Sequence, residues 1–245
     1  KGFGILASDP ELTLRERHLG LVQASEREDL DQLLDHAADV LSRDLDLAGL
    51  QAIAARPTLD KTAQAPSIPP LGQRITVARD IAFGFCYPHV LDDWRAKGAD
   101  ISFFSPLADQ GPDADADAVY LPGGYPELHA ATLAANRIFL TGLREAGENG
   151  TVILGECGGY MVLGQGVVDG DGVHHAMAGL LNLETSFAKR KLHLGYRQMT
   201  LREAGVLGAK GTQYRGHEFH YASVGREKGP SLYAVTDALG EQEQQ

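Results

Sequence analysis

Four short runs of apolar, β-forming residues constrain this chain more than any other feature. They are Ile75-Thr76-Val77-Ala78, Ile101-Ser102-Phe103-Phe104, Ala118-Val119-Tyr120-Leu121 and Thr151-Val152-Ile153-Leu154. Each is far too short to cross a membrane, which takes about 20 apolar residues. Helix-compatible segments lie between them. Tyr87-Pro88 opens one that runs through Trp94, and a long helix is expected from about Glu127 to Ala146, with Pro126 at a tolerated first position. Short, continuously apolar strands alternating with helices predict a mainly parallel sheet covered on both faces, an α/β fold of three layers. From residue 170 onward the pattern is irregular, and antiparallel additions are expected there.

The length of 245 residues allows one or two domains. Residues 56–73 carry four prolines and no periodic apolar pattern, and read as a linker. Before them, Phe3, Ile5 and Leu6 form a strand-like run that stops at Ser8-Asp9-Pro10. Ser25 and Glu28 have capping-box spacing, and Leu30, Leu33, Leu34, Ala37 and Leu41 follow at helical spacing. One strand and one or two helices make a poor domain. Residues 1–55 therefore read as the end of an α/β domain, and 74–240 as a second domain. Lys1 in place of Met, with no signal-peptide pattern after it, points to a piece of a longer chain. The polar tail from Glu241 to Gln245 is expected to fray.

Twenty-two Lys and Arg against 33 Asp and Glu give a net charge of −11. That argues against sequence-independent nucleic-acid binding, which needs a basic face. No apolar run suits a membrane span. Two cysteines cannot build a disulfide framework, so a reducing, cytoplasmic setting is expected.

The strongest chemical signal follows the fourth apolar run, in Gly155-Glu156-Cys157-Gly158-Gly159. This is the cysteine form of a strand–turn–helix nucleophile elbow. A nucleophile at so sharp a turn needs small neighbours, and Gly155 and Gly159 flank it at −2 and +2. The sulfur would project above the carboxyl edge of the sheet, where open α/β folds bind ligands. The helix start beneath it is expected to favour thiolate, and the Gly158 N–H to face a developing oxyanion. A second glycine turn, Pro122-Gly123-Gly124, ends the third run and offers another oxyanion donor. A thiol also needs a base, and Arg215-Gly216-His217-Glu218-Phe219-His220 supplies two candidates, His217 and His220. The spacing HEFH falls one residue short of the H-E-x-x-H zinc pattern, so no metal site is expected. His174-His175 beside Asp169-Gly170-Asp171-Gly172 reads as a solvated hairpin, and Cys86 as a packing residue. Glu127 either touches the site or steadies its helix start. No G-x-x-x-x-G-K-[ST] phosphate loop occurs.

These pieces, in this order, resemble the class I glutamine amidotransferases. LPGGYPELHA (121–130), ECGGYMVLG (156–164), LGYRQ (194–198) and RGHEFHY (215–221) resemble one branch in particular, the cobyrinic and hydrogenobyrinic acid a,c-diamide synthases. SDPELTLRERHLGLV (8–22) is similar to the later part of their synthetase domain, and residues 82–109 to the start of their glutaminase domain. The resemblance implies that Cys157 attacks the side-chain amide of glutamine and that His220 is the catalytic histidine. Gly123, Gly124 and Gly158 would form the oxyanion and glutamine-binding turns. The family's usual acidic residue two positions after the histidine is Ala222 here, which leaves a Cys–His dyad with Glu218 as a candidate orienter. The resemblance further implies ATP and Mg2+ in an N-terminal synthetase domain, bound outside this chain. Ammonia from glutamine would amidate the a- and c-acetate carboxylates of a corrinoid acid. Partners are then glutamine, the corrinoid acid and the missing synthetase domain, with a homodimer among the candidate assemblies.

The alternative reading is a free-standing cysteine hydrolase of the same fold, acting on γ-glutamyl or peptide bonds. A catalytically dead binding domain would be favoured if Cys157 or His220 were absent, and both are present.

Overall fold

The computed structural model describes residues 2–17, 20–55 and 67–241. The chain divides into two compact units, residues 1–65 and 66–245.

In the first unit, Glu16–Arg17 (β1) pairs antiparallel with Gly20–Leu21 (β2). Two helices follow, Leu30–Asp44 (α1) and Leu47–Ile53 (α2). The leucines at helical spacing do form α1, but the expected capping box does not. Ala24–Glu26 makes a 3-10 turn, and α1 starts only at Leu30, with Asp29 as N-cap. Ser25 therefore lies too far upstream to reach the first-turn N–H groups. Of the apolar stripe, Leu34 and Leu41 remain exposed, and the buried residue of α1 is Val40, which was not among the residues expected in that stripe. The expected strand at Phe3–Leu6 is also absent. Only Gly4 bridges, to Leu45, and Ile5 stays open to solvent. An extended run becomes a strand only with a neighbour to pair its backbone groups.

The second unit contains, in order, Arg74–Ala78 (β3), Pro88–Ala96 (α3), Asp100–Phe104 (β4), Ala118–Leu121 (β5), Ala130–Ala135 (α4), Arg137–Glu148 (α5), Val152–Gly155 (β6) and Gly158–Leu163 (α6). Then come Gly166–Val168 (β7), His174–Ala176 (β8), Asn182–Ser186 (β9), His193–Leu201 (β10), Gln213–His220 (β11), Ser223–Lys228 (β12) and Tyr233–Asp237 (β13). The four apolar runs form one sheet in the order β4-β3-β5-β6, parallel throughout. Its two faces carry separate cores. Val119 and Leu121 of β5 pack with Leu133, Phe139, Leu143 and Val162. Ala118 and Tyr120, one residue out of phase, pack with Val77, Leu91 and Trp94 on the other face. This is the three-layer α/β arrangement expected from the apolar strands.

Residues 56–66 of the expected linker lie outside the described residues, as do 242–245 of the tail. The described end of the linker packs onto the sheet unit. Leu71 is buried, and the Trp94 indole donates to the Ile68 carbonyl at 3.1 Å.

The single helix expected over 127–146 is broken. Pro126–His129 is a 3-10 turn, and α4 and α5 meet at Asn136. The Asn136 side chain donates to the Pro106 carbonyl at 2.7 Å. An Asn whose side chain bonds elsewhere in the backbone stops a helix that apolar spacing alone would continue.

Beyond residue 164 the additions form two further sheets, β12-β9-β7-β8 and β11-β10-β13. All pairs are antiparallel except β7 with β9. Among the described residues no helix is long and apolar enough to cross a membrane.

Candidate active site

The parallel register of β5 and β6 creates the site. Leu121 lies opposite Gly155, so both strands end at one level and deliver both glycine turns to the same sheet edge.

After β6 the chain turns at Cys157 with φ 49° and ψ −110°, one of two non-glycine residues with positive φ among those described. Such a conformation costs on the order of 1–3 kcal/mol and persists only where the surroundings impose it. Three backbone bonds impose it here. Glu156 N–H donates to Leu121 at 2.9 Å, Gly159 N–H to Glu156 at 2.8 Å, and Met161 N–H to Cys157 at 3.1 Å. The flanking glycines leave no room for anything larger. A Cβ on Gly159 would lie 2.0 Å from the Leu121 carbonyl oxygen, and one on Gly155 would lie 2.8 Å from Gly159.

The turn after β5 is held from the other side. Phe85 N–H donates to the Gly123 carbonyl at 2.9 Å, and Tyr125 N–H to Ala82 at 3.0 Å. A Cβ on Gly124 would fall 2.1 Å from the Ala82 oxygen, and one on Gly123 would sit 3.3 Å from Cys157 Cβ. The two turns touch, since a Cβ on Gly158 would be 3.3 Å from the Gly124 nitrogen.

The electrostatics at Cys157 differ from the sequence expectation of a thiolate favoured by the helix start. Burial pushes the thiol up, and the carboxylates of Glu156 and Glu127 push it further. The backbone amides of Gly158 and Gly124 oppose this and favour the charged sulfur, without overcoming it. A helix of six residues offers little dipole to add. The resting sulfur is therefore a thiol, with two amides already directed to where negative charge would develop. Glu127 is buried beside the site and also stands in the first turn of the Pro126–His129 3-10 turn. Cys86 is a free, partly buried cysteine whose thiol is likewise pushed up by burial.

The histidines part company on β11. Side chains alternate along a strand, so His217 and His220, three apart, face opposite ways. His217 is on the exposed face, while His220 and Glu218 share the inner one. On the paired β10, His193 lies opposite His220 and Gly195 opposite Glu218. The rings of His193 and His220 stack, with centroids 4.7 Å apart and planes 8° from parallel.

His220 is held at both ring nitrogens. Nδ1 meets the Ala222 carbonyl at 2.9 Å, and Nε2 meets Glu218 Oε1 at 2.7 Å. The Arg197 guanidinium donates to the other oxygen of Glu218. Burial works against the Glu218 charge, but His220 and Arg197 together hold its carboxyl below the ordinary range. Where the resemblance led one to expect an acid after the histidine, Ala222 supplies a backbone oxygen instead. Among the described residues no hydrogen bond joins Cys157 to His220. The structure thus gathers Cys157, Gly123, Gly124 and Gly158 at one edge, and His220 with Glu218 on the inner face of the β10–β11 ladder. Sequence reasoning missed His193 and Arg197. The available signal was period two: LHLGYR and HEFH place both beside Glu218 and His220 once their strands pair.

His174 and His175 lie in the β7–β8 hairpin, where His175 Nε2 meets Asp169 Oδ2 at 2.7 Å, in line with a local turn.

The domain model for CobB/CobQ-like glutamine amidotransferases matches residues 74–245. A hydrogenobyrinate a,c-diamide synthase of Brucella anthropi is 54% identical over 242 residues, which is 98% of this chain and 55% of that protein. The same enzyme of Brucella abortus is 55% identical over 241 residues, 98% of this chain and 55% of its own length. The chain spans about half the length of the curated relatives it matches. The structure of PurLQS from Thermotoga maritima is similar at 18% identity, covering 70% of this chain and 76% of that one, with a TM-score of 0.46.

Proposed function

The chain belongs to the CobB/CobQ-like glutamine amidotransferase family, and from that premise we propose that it hydrolyses glutamine at Cys157 to release ammonia for amide synthesis. Cys157 Sγ attacks the side-chain carbonyl carbon of glutamine. The oxyanion that forms is met by the N–H groups of Gly158 and Gly124, beside the close-packed Gly123. His220 takes the thiol proton at Nε2, which must first turn from Glu218 Oε1 toward the sulfur, and returns it to the departing ammonia; water then cleaves the γ-glutamyl thioester. Ala222 and Glu218 orient the imidazole from its two sides. His217, on the opposite face, has no part in proton transfer.

The observation that carries this reading is the strained turn at Cys157 with two backbone amides favouring charge on its sulfur. A cysteine serving only as packing has no need of positive φ or of donors converging on it.

The named relatives supply the acceptor. On their pattern the ammonia amidates the a- and c-acetate carboxylates of hydrogenobyrinic acid, in corrin biosynthesis. Residues 1–55 are then the end of an ATP-dependent synthetase domain, 56–73 the connection, and 74–240 the glutaminase. No G-x-x-x-x-G-K-[ST] phosphate loop occurs in this chain, and no step at Cys157 runs through ATP or Mg2+. The free thiols suit a reducing, cytoplasmic compartment.

The test is ammonia release from glutamine by the chain and by Cys157→Ser. The reading predicts release by the chain and loss of at least about 10³-fold in the variant. Undiminished release by Cys157→Ser overturns it.

A further inference from the structure

His193, Glu218 and His220 each present one ligand atom on the inner face of the β10–β11 ladder, and these atoms lie within 4.8 Å of one another. Two imidazoles and a carboxylate are a donor set for borderline divalent cations, Zn2+ foremost. The groups behind the donors are already in place. The Nδ1 contact with the Ala222 carbonyl, at 2.9 Å, leaves Nε2 as the outward-facing atom of His220. A backbone carbonyl on the remote nitrogen is the usual device that fixes a metal-binding histidine. Arg197 holds one oxygen of Glu218 and leaves Oε1 to face His220. The ring nitrogens of His193 have no hydrogen-bond partner among the described residues.

We propose that His193, Glu218 and His220 bind one Zn2+-like cation, which takes the place of the proton shared by His220 Nε2 and Glu218 Oε1. Bonds of about 2.1 Å at a tetrahedral angle set nitrogen and oxygen about 3.4 Å apart. The pair now stands at 2.7 Å and the two imidazoles are stacked, so to admit the ion Nε2 and Oε1 part and the His193 ring swings out of the stack until the ion lies in the plane of both rings. A water completes the tetrahedron. The guanidinium of Arg197 beside Glu218 opposes the added positive charge, which keeps binding reversible. On the glutaminase reading, the ion occupies the nitrogen that would carry the proton, and so acts as a brake on ammonia release.

The test is calorimetric titration of the metal-free 245-residue chain with ZnCl2. The expected result is one site with Kd of about 1–10 µM, weakened at least tenfold by His193→Ala. His217→Ala, on the opposite face, and His36→Ala, in the separate Asp9–Glu11–His36 group, leave that site intact. Circular dichroism checks the fold, and His193→Gln replaces the alanine variant if that one unfolds. No binding at about 100 µM Zn2+, or binding that survives loss of His193 in a folded variant, overturns the proposal. Ammonia release is read in parallel. Zn2+ binding with unchanged release upholds the site and removes the brake. Binding by a chain that never releases ammonia upholds the site while the glutaminase reading fails.

Discussion

Gly159→Ala probes the elbow with a single methyl group. Its Cβ would stand 2.0 Å from the Leu121 carbonyl oxygen and 2.7 Å from the Leu121 Cβ, whereas real contacts essentially never fall below 3.0 Å. The obstacle is the backbone of β5, not the tip of a flexible side chain, so α6 must move about 1 Å away from the sheet. Both partners are buried, which makes this overpacking, at about 2 kcal/mol. In a domain of this size that is roughly 4–8 °C in Tm. The larger effect falls on chemistry. Cys157 lies two residues before Gly159, and displacing a reacting group by about 1 Å costs about 10²-fold in rate. The assay pairs thermal unfolding with kcat/KM for ammonia release. Gly205→Ala is the control, because its Cβ meets nothing within 4 Å and its φ is not positive. If Gly159→Ala matches the control in both Tm and rate, the close packing of the two turns is not what positions the sulfur.

Other expectations follow from the same geometry. His220→Ala lowers ammonia release by at least about 10²-fold, and His217→Ala by less than tenfold; the reverse ranking moves the base to the exposed face. Glu218→Gln keeps the shape of the bridge but removes its charge, and kcat falls about 10–10³-fold; an unchanged kcat leaves Ala222 as the sole orienter. The raised thiol value of Cys157 means that the thiolate fraction is small at neutral pH and grows as pH rises. Its alkylation by iodoacetamide therefore climbs about tenfold per pH unit, with no plateau below the ordinary thiol value of 9.0. A plateau near pH 7 contradicts the burial of that sulfur.

Much of the sheet unit was legible in the sequence, because its central strands β3 and β5 are buried on both faces and so read as short, nearly continuous apolar runs. The same logic located the elbow, since Gly155, Cys157 and Gly159 answer a steric demand that local sequence can express. The break at Asn136 was not legible. It depends on the Pro106 carbonyl, 30 residues away in sequence, which no helical periodicity reports. The first unit misled for a related reason. Phe3, Ile5 and Leu6 have strand composition but meet the chain around Leu45 only through a single bridge at Gly4, too little to make a strand, and the box spacing of Ser25 and Glu28 lies ahead of the true helix start. At the site, the two histidines were visible and the family resemblance already favoured His220, but what separates them physically came only from pairing. Strand alternation separates His217 from His220, and the β10–β11 register brings His193 and Arg197 to Glu218. The state of the thiol was misjudged because burial and two nearby carboxylates, one of them Glu127, outweigh the amides at the turn.

The central claim is that Cys157 is the nucleophile toward a glutamine side chain. Its most direct test is labelling of the chain with 6-diazo-5-oxo-norleucine, an electrophilic glutamine analogue, at neutral pH, followed by peptide mapping. The account predicts one label per chain, on Cys157, with protection by excess glutamine and none on Cys86. Equal labelling of Cys157 and Cys86, or labelling that glutamine does not suppress, contradicts it.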